Sequence, residues 1–107
     1  MTVQYCLNSS TIRPVALMEK IRIAGQVGYR AIELWNDDLQ AYQEQGGSLG
    51  DVRKALADYG LVVPTVIALH GWLGSEGEAH TQALEEAKRR MEQAITVGAE
   101  FIVSSPP

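Results

Sequence analysis

Glu33 and His70 are the side chains whose type and position most invite chemistry. Glu33 lies inside the run Ala31-Ile32-Glu33-Leu34-Trp35. Read as a strand, this run puts Ile32 and Leu34 on one face and Glu33 and Trp35 on the other. A carboxylate within a covered strand is costly unless paired or hydrogen-bonded. Glu33 therefore either serves a site on the face away from the helices or is held by a cation, with Arg13 and Arg30 at hand. His70 directly follows the apolar run Leu61 to Leu69. A neutral imidazole there can bind a metal, shuttle a proton or hold a sugar hydroxyl; the alternative is a hydrogen-bonded loop residue. Trp35 and Trp72 offer apolar walls for a polyol or sugar pocket, with core or rim packing as the alternative. His80, at the start of a long helix, reads as a surface residue. Cys6 reads as a small core residue within a strand, with no base beside it.

Other chemistries lack their motifs. The chain contains no G-x-G-x-x-G, no Walker A pattern and no G-x-S-x-G elbow. Two histidines and one cysteine give no zinc-site spacing, and one cysteine forms no internal disulfide. A net charge of −4 and a pI near 5.0 argue against nucleic acid as a partner. The basic triplet Lys88-Arg89-Arg90 sits among Glu85, Glu86 and Glu92 and reads as a solvated helix face with i,i+4 ion pairs. No apolar run approaches the roughly 20 residues of a membrane helix. The amino terminus has neither a basic nor an apolar leader region. A soluble cytoplasmic protein with no membrane partner is expected.

The elements that must position Glu33 and His70 follow from periodicity. The chain has 107 residues, 46% hydrophobic and 21% charged, which suits one globular domain over 1–107. Val3 to Leu7 reads as a first strand, and Asn8 to Thr11 as a polar loop. Pro14 suits the first turn of a helix with Leu17, Ile21, Ala24 and Val27 on its apolar face. Tyr29 to Trp35 is the second strand, ended by the turn formers Asn36, Asp37 and Asp38. A short helix over Leu39 to Gln45 is broken by Gly46 and Gly47. Ser48 and Asp51 form a capping pair for a helix with Leu49, Val52, Leu56 and Tyr59 on one face. Leu61 to Leu69 is the third strand, with Pro64 tolerable near its start. His70 to Gly77 is a loop. A helix over Ala79 to Val97 buries Leu84, Ala87, Met91, Ala94 and Ile95, and Phe101 to Ser104 is the fourth strand.

The order is β-α-β-α-β-α-β, an α/β fold with a parallel sheet and right-handed crossovers. Gly28, Gly60 and Gly98 each end a helix and lead straight into a strand, a coarse internal repeat. Four such strands are too few to close a barrel. In parallel α/β folds reactive groups gather at the carboxyl ends of the strands. This selects Asn8 to Thr11, Glu33 to Asp38, His70 to Trp72, and Ser104 to Pro107.

Three stretches carry a family resemblance: Gly28-Tyr29-Arg30-Ala31-Ile32-Glu33-Leu34-Trp35, Ala68-Leu69-His70-Gly71, and Met91 to Pro106 with Ala94, Gly98-Ala99 and Phe101-Ile102-Val103. Their order and spacing resemble the N-terminal half of the xylose-isomerase-like (β/α)₈ TIM barrels, the sugar phosphate isomerase/epimerase superfamily. The resemblance implies half of a TIM barrel with strand order 1-2-3-4. It implies a divalent metal (Mn, Mg, Co or Zn) and proton transfer between adjacent carbons of a ketose or aldose, with a sugar or sugar phosphate as partner. The family's main metal ligands, two Glu, an Asp and a His, come from strands five to eight and have no counterpart here. Glu33, Trp35 and His70 carry over as candidate substrate-pocket residues, and Trp72 joins them by position. Little or no turnover is therefore expected from this chain alone. The related apurinic endonucleases use a His after strand three as a zinc ligand, which makes His70 a weak metal candidate. Their His after strand four is replaced here by Ser104, Ser105, Pro106 and Pro107, which argues against that reading.

Two further readings compete. A half-barrel with exposed strand edges is expected to self-associate, two copies forming a homodimer around a two-fold axis. An open flavodoxin-like binding module is distinguished by strand order 2-1-3-4 rather than 1-2-3-4.

Overall fold

A computed structural model describes residues 3–106. Met1 and Thr2 of the amino-terminal stretch, and Pro107 of the closing Pro-Pro pair, lie outside the described residues. The strands are β1 (Cys6–Asn8), β2 (Ala31–Trp35), β3 (Thr65–Leu69) and β4 (Phe101–Ser104). The helices are α1 (Leu17–Val27), α2 (Asn36–Glu44), α3 (Leu49–Asp58) and α4 (Gly77–Thr96), with a 3₁₀ turn over Ser9–Ile12. The four strands form one parallel sheet in the order β1-β2-β3-β4. This order selects the half-barrel over the flavodoxin-like arrangement.

Side-chain alternation sorts the sheet into two faces. Leu7, Ile32, Leu34 and Val66 are buried against Leu17, Ile21 and Ala24 of α1 and Leu49, Val52 and Leu56 of α3. Ala94 and Val97, at the end of α4, complete this core. The opposite face carries Asn8, Glu33, Trp35, Thr65, Ile67, Phe101 and Val103, all half-buried or exposed. Among the described residues no helix covers it, as expected where the lumen of a barrel would lie.

Local chemistry sets the helix ends. Ser48 caps α3 by accepting from the Asp51 amide, and the Asp51 carboxylate accepts from the Ser48 amide, a complete capping box. All four helices close by one device. The amides of Tyr29, Gly47, Leu61 and Ala99 donate to carbonyls five residues back, on Ala24, Tyr42, Leu56 and Ala94. A glycine with positive φ precedes each of these donors: Gly28, Gly46, Gly60 and Gly98. This is the left-handed position of a Schellman closure, which residues with a Cβ adopt at a cost.

Several element boundaries differ from the sequence expectation. β1 starts at Cys6 rather than Val3, β2 at Ala31 rather than Tyr29, and β3 at Thr65 rather than Leu61. Within 61–64 only Val62 makes a bridge, to Ala31, and Pro64 just precedes β3. Asn36, Asp37 and Asp38 form the first turn of α2, where acidic side chains favour the helix dipole, rather than a turn. Pro14 stands three residues before α1, not within its first turn. Cys6 is exposed at the start of β1.

The largest correction concerns α4. Its buried residues are Ala87, Arg90, Gln93 and Ala94, while Leu84, Met91 and Ile95 are exposed. The helix is turned by about one residue, roughly 100°, from the expected face. Partners explain this. Gln93 donates to the side-chain carbonyls of Gln40 and Gln43, 3.0 Å each, and accepts from Asn36. Lys88 and Arg89 do pair at the surface, with Glu85 and Glu86, at i,i+3 spacing rather than the expected i,i+4. Arg90 does not remain solvated: it bonds Asp37 at 2.7 Å, Glu86 at 3.0 Å and the Ala68 carbonyl at 2.8 Å. Ala68 stands where the β3–β4 register shifts, so Arg90 serves a carbonyl at the ladder's irregularity.

Candidate functional site on the open sheet face

Glu33 occupies the middle of the uncovered face, not the end of its strand. Register places Asn8 of β1 beside Glu33, and Thr65 of β3 on its other side. Both hold the carboxylate. Asn8 Nδ2 donates to Glu33 Oε1 at 2.7 Å, and the Thr65 hydroxyl donates to Glu33 Oε2. The expected alternative, a cation partner from Arg13 or Arg30, is not what the fold uses.

The supports of Glu33 reach back into the 3₁₀ turn. Asn8 Oδ1 accepts from the Ser10 amide at 2.9 Å and the Ser10 hydroxyl at 2.6 Å. That occupation of Oδ1 leaves the Asn8 amide nitrogen for Glu33. Ser9 is fully buried, and its hydroxyl donates to the Glu33 backbone carbonyl at 2.7 Å. The stretch expected to be a plain polar loop is thus an ordered turn that fixes the carboxylate.

Trp35 lies two residues further along the same face, half-buried, at the end of β2. The Arg13 guanidinium carbon sits 4.4 Å from its ring centroid, and Lys20 Nζ 5.9 Å. The indole N–H is buried and has no acceptor among the described residues. Lys20, only 1% exposed, pairs with Asp38 at 2.7 Å.

His70 and Trp72 follow β3, as expected, but the structure does not link them to Glu33. His70 is exposed, and among the described residues no hydrogen bond or ion pair engages its ring. Trp72 is half-buried, and its indole N–H donates to Ser104 Oγ at 3.3 Å, joining the loop after β3 to the end of β4. His80 is not a free surface residue. It is half-buried with Nδ1 3.1 Å from the Trp72 carbonyl and 3.0 Å from Ser75 Oγ, and it pins this loop.

Among the described residues no three His, Cys, Asp or Glu side chains come together as a ligand set. Glu33 is engaged by an amide and a hydroxyl. The face offers instead a fixed acceptor, an aromatic wall and a cation, the parts that orient a polyol.

Sequence reading missed Asn8 and Thr65 as the partners of Glu33, and Arg13 as a companion of Trp35. Asn8 and Thr65 have ordinary strand and turn identities. Only the register of three strands shows that they flank a carboxylate.

No protein-family model matches the chain, and no curated protein matches it. Solved structures do. The IolI protein with a bound zinc atom superposes at a TM-score of 0.86 with 22% identity, covering 98% of this chain and 38% of that one. A xylose isomerase domain containing protein from Salmonella typhimurium LT2 superposes at 0.81 with 19% identity, over 100% and 39% of the two chains. D-Psicose 3-epimerase, solved in the presence of D-fructose, superposes at 0.72 with 18% identity, over 95% and 37%. The chain therefore spans a little over a third of each, and it has the fold of part of a xylose isomerase-like TIM barrel. No helix among the described residues is long and apolar enough to cross a membrane.

Proposed function

With the fold of a xylose isomerase-like barrel as premise, we propose that the chain is the substrate-side portion of a metal-dependent sugar or sugar phosphate isomerase/epimerase. The observation that carries this reading is Glu33, a carboxylate held by Asn8 and Thr65 on the uncovered sheet face with Trp35 beside it. In such a site Glu33 accepts from sugar hydroxyls, and Trp35 packs against the apolar face of the carbon chain. His70 and Trp72 form the rim after β3.

The divalent metal (Mn, Mg, Co or Zn) implied by the family would polarise the substrate for proton transfer. One structural neighbour is described with zinc. Among the described residues no three His, Cys, Asp or Glu side chains come together as a ligand set for it, and the part we assign to this chain is to bind and orient.

The test is to titrate the 107-residue chain with D-fructose, a ligand present with one structural neighbour, and to assay isomerisation with each metal. We expect saturable binding that Glu33→Gln weakens about tenfold, equivalent to one charge-assisted hydrogen bond, and little or no turnover. Absence of ketose binding would sink the pocket. Metal-dependent turnover by this chain alone would overturn its assigned role.

Self-association is a second reading, favoured by exposed apolar residues beside both outer strands. Tyr5 and Val27 lie on the β1 side, and Ile95 and Phe101 on the β4 side.

A further inference from the structure

Resting on the sugar-binding reading, we propose that Arg13 is an anion-binding residue of this site, and that its preferred ligand is a sugar or polyol bearing a carboxylate or phosphate. Arg13 follows the 3₁₀ turn after β1, and Trp35 ends β2, so both stand at the carboxyl ends of strands. The guanidinium lies over the indole ring at 4.4 Å. A cation held over an aromatic face is restrained in position, while its N–H donors remain free for an oxyanion.

Arg13 has no ion-pair partner among the described residues, although carboxylates are near at hand. Asp38 is taken by Lys20 and Asp37 by Arg90, each at 2.7 Å. Glu33 is engaged by Asn8 and Thr65. Lys20 and Arg90 are thus already neutralised, and Arg13 is left to meet an incoming charge. This matters in a chain of net charge −4, which otherwise repels anions.

The spacing suits a ligand with two ends. Trp35 lies a two-residue step along the strand from Glu33 on the same face, about 7 Å. A short polyol chain spans this gap, its anionic end at Arg13 and a hydroxyl at Glu33.

The experiment is an NMR titration of the unmodified chain, following the Arg13 Nε–H and Trp35 Nε1–H signals. The probes are D-fructose, D-fructose 6-phosphate, D-gluconate and inorganic phosphate. The expected result is that fructose 6-phosphate or gluconate binds at least tenfold more tightly than fructose, with both signals shifting. Arg13→Gln removes that advantage, weakening the anionic sugar at least tenfold more than it weakens fructose; Arg13→Lys restores part of it. Whichever anionic sugar binds more tightly identifies the head group. Equal affinity for neutral and anionic sugars, or an advantage that survives Arg13→Gln, overturns the proposal while the sugar site stands. Binding of inorganic phosphate through Arg13 with no sugar binding at all overturns the sugar reading and the two-ended ligand together.

Discussion

Glu33 shows how far single residues can be read. Alternation within one strand placed it opposite Ile32 and Leu34, and the structure agrees. Its partners were not legible, because Asn8 and Thr65 are 25 and 32 residues away and meet it only through parallel register. Cys6 lies two residues before Asn8, so the same register brings the Glu33 charge to bear on it. Burial first, and the Glu33 charge second, hold the Cys6 thiol above its ordinary range. The thiolate fraction at neutral pH is correspondingly reduced. Iodoacetamide should therefore label the exposed Cys6 more slowly than a model thiol at pH 7, with the rate rising only as pH climbs past the usual thiol range. Glu33→Gln should speed labelling a few-fold at pH 7, since it removes the smaller of the two causes. Unchanged labelling kinetics in that variant would place the carboxylate's influence elsewhere.

Elements were more legible than residues wherever a glycine or a cap marked them, and less so where packing chose between two faces. The three helix–glycine–strand junctions and the Ser48–Asp51 cap follow directly from sequence. The buried face of α4 does not, because apolar periodicity selects Leu84, Met91 and Ile95 while polar partners from α2 select Arg90 and Gln93. Arg90→Met should cost about 2 kcal/mol in urea unfolding, the penalty of leaving the Ala68 carbonyl unserved. The exposed Asp37 end of the pair adds little to that. The α1–α3 contact gives a second measure. A Cβ on Gly25 would lie 2.5 Å from Tyr59 Cδ1 and 2.6 Å from Tyr59 Cβ. The Tyr59 Cβ is fixed to its backbone, so the helices themselves must part. Gly25→Ala should destabilise the fold by about 1–3 kcal/mol, although alanine is the better helix former by about 1 kcal/mol. A rise in melting temperature would show that Tyr59 yields instead.

At the scale of the molecule, the four strand–helix units were legible by counting and their order 1-2-3-4 followed from the family resemblance, but the distribution of exposed apolar surface was not legible. Ile95 is 74% exposed and Phe101 67% on the β4 side; Tyr5 is 73% and Val27 70% on the β1 side. Both outer strands also present unpaired backbone edges, which favour association. Light scattering of the purified chain should report twice its 11.7 kDa at high concentration, and Ile95→Glu with Phe101→Glu should return it to monomer mass. A concentration-independent monomer would exclude the second copy as occupant of these edges. The shared helix closure has one more consequence. Because Gly28, Gly60 and Gly98 deliver each following strand by the same five-residue-back bond, the rim where strands begin is built alike three times over. The rim where strands end repeats nothing: a 3₁₀ turn after β1, an immediate helix after β2, a histidine-pinned loop after β3. The repeated joints and the irregular turns are thereby housed on opposite rims, and the turns are free to be rewritten without disturbing the joints that hold the chain in shape.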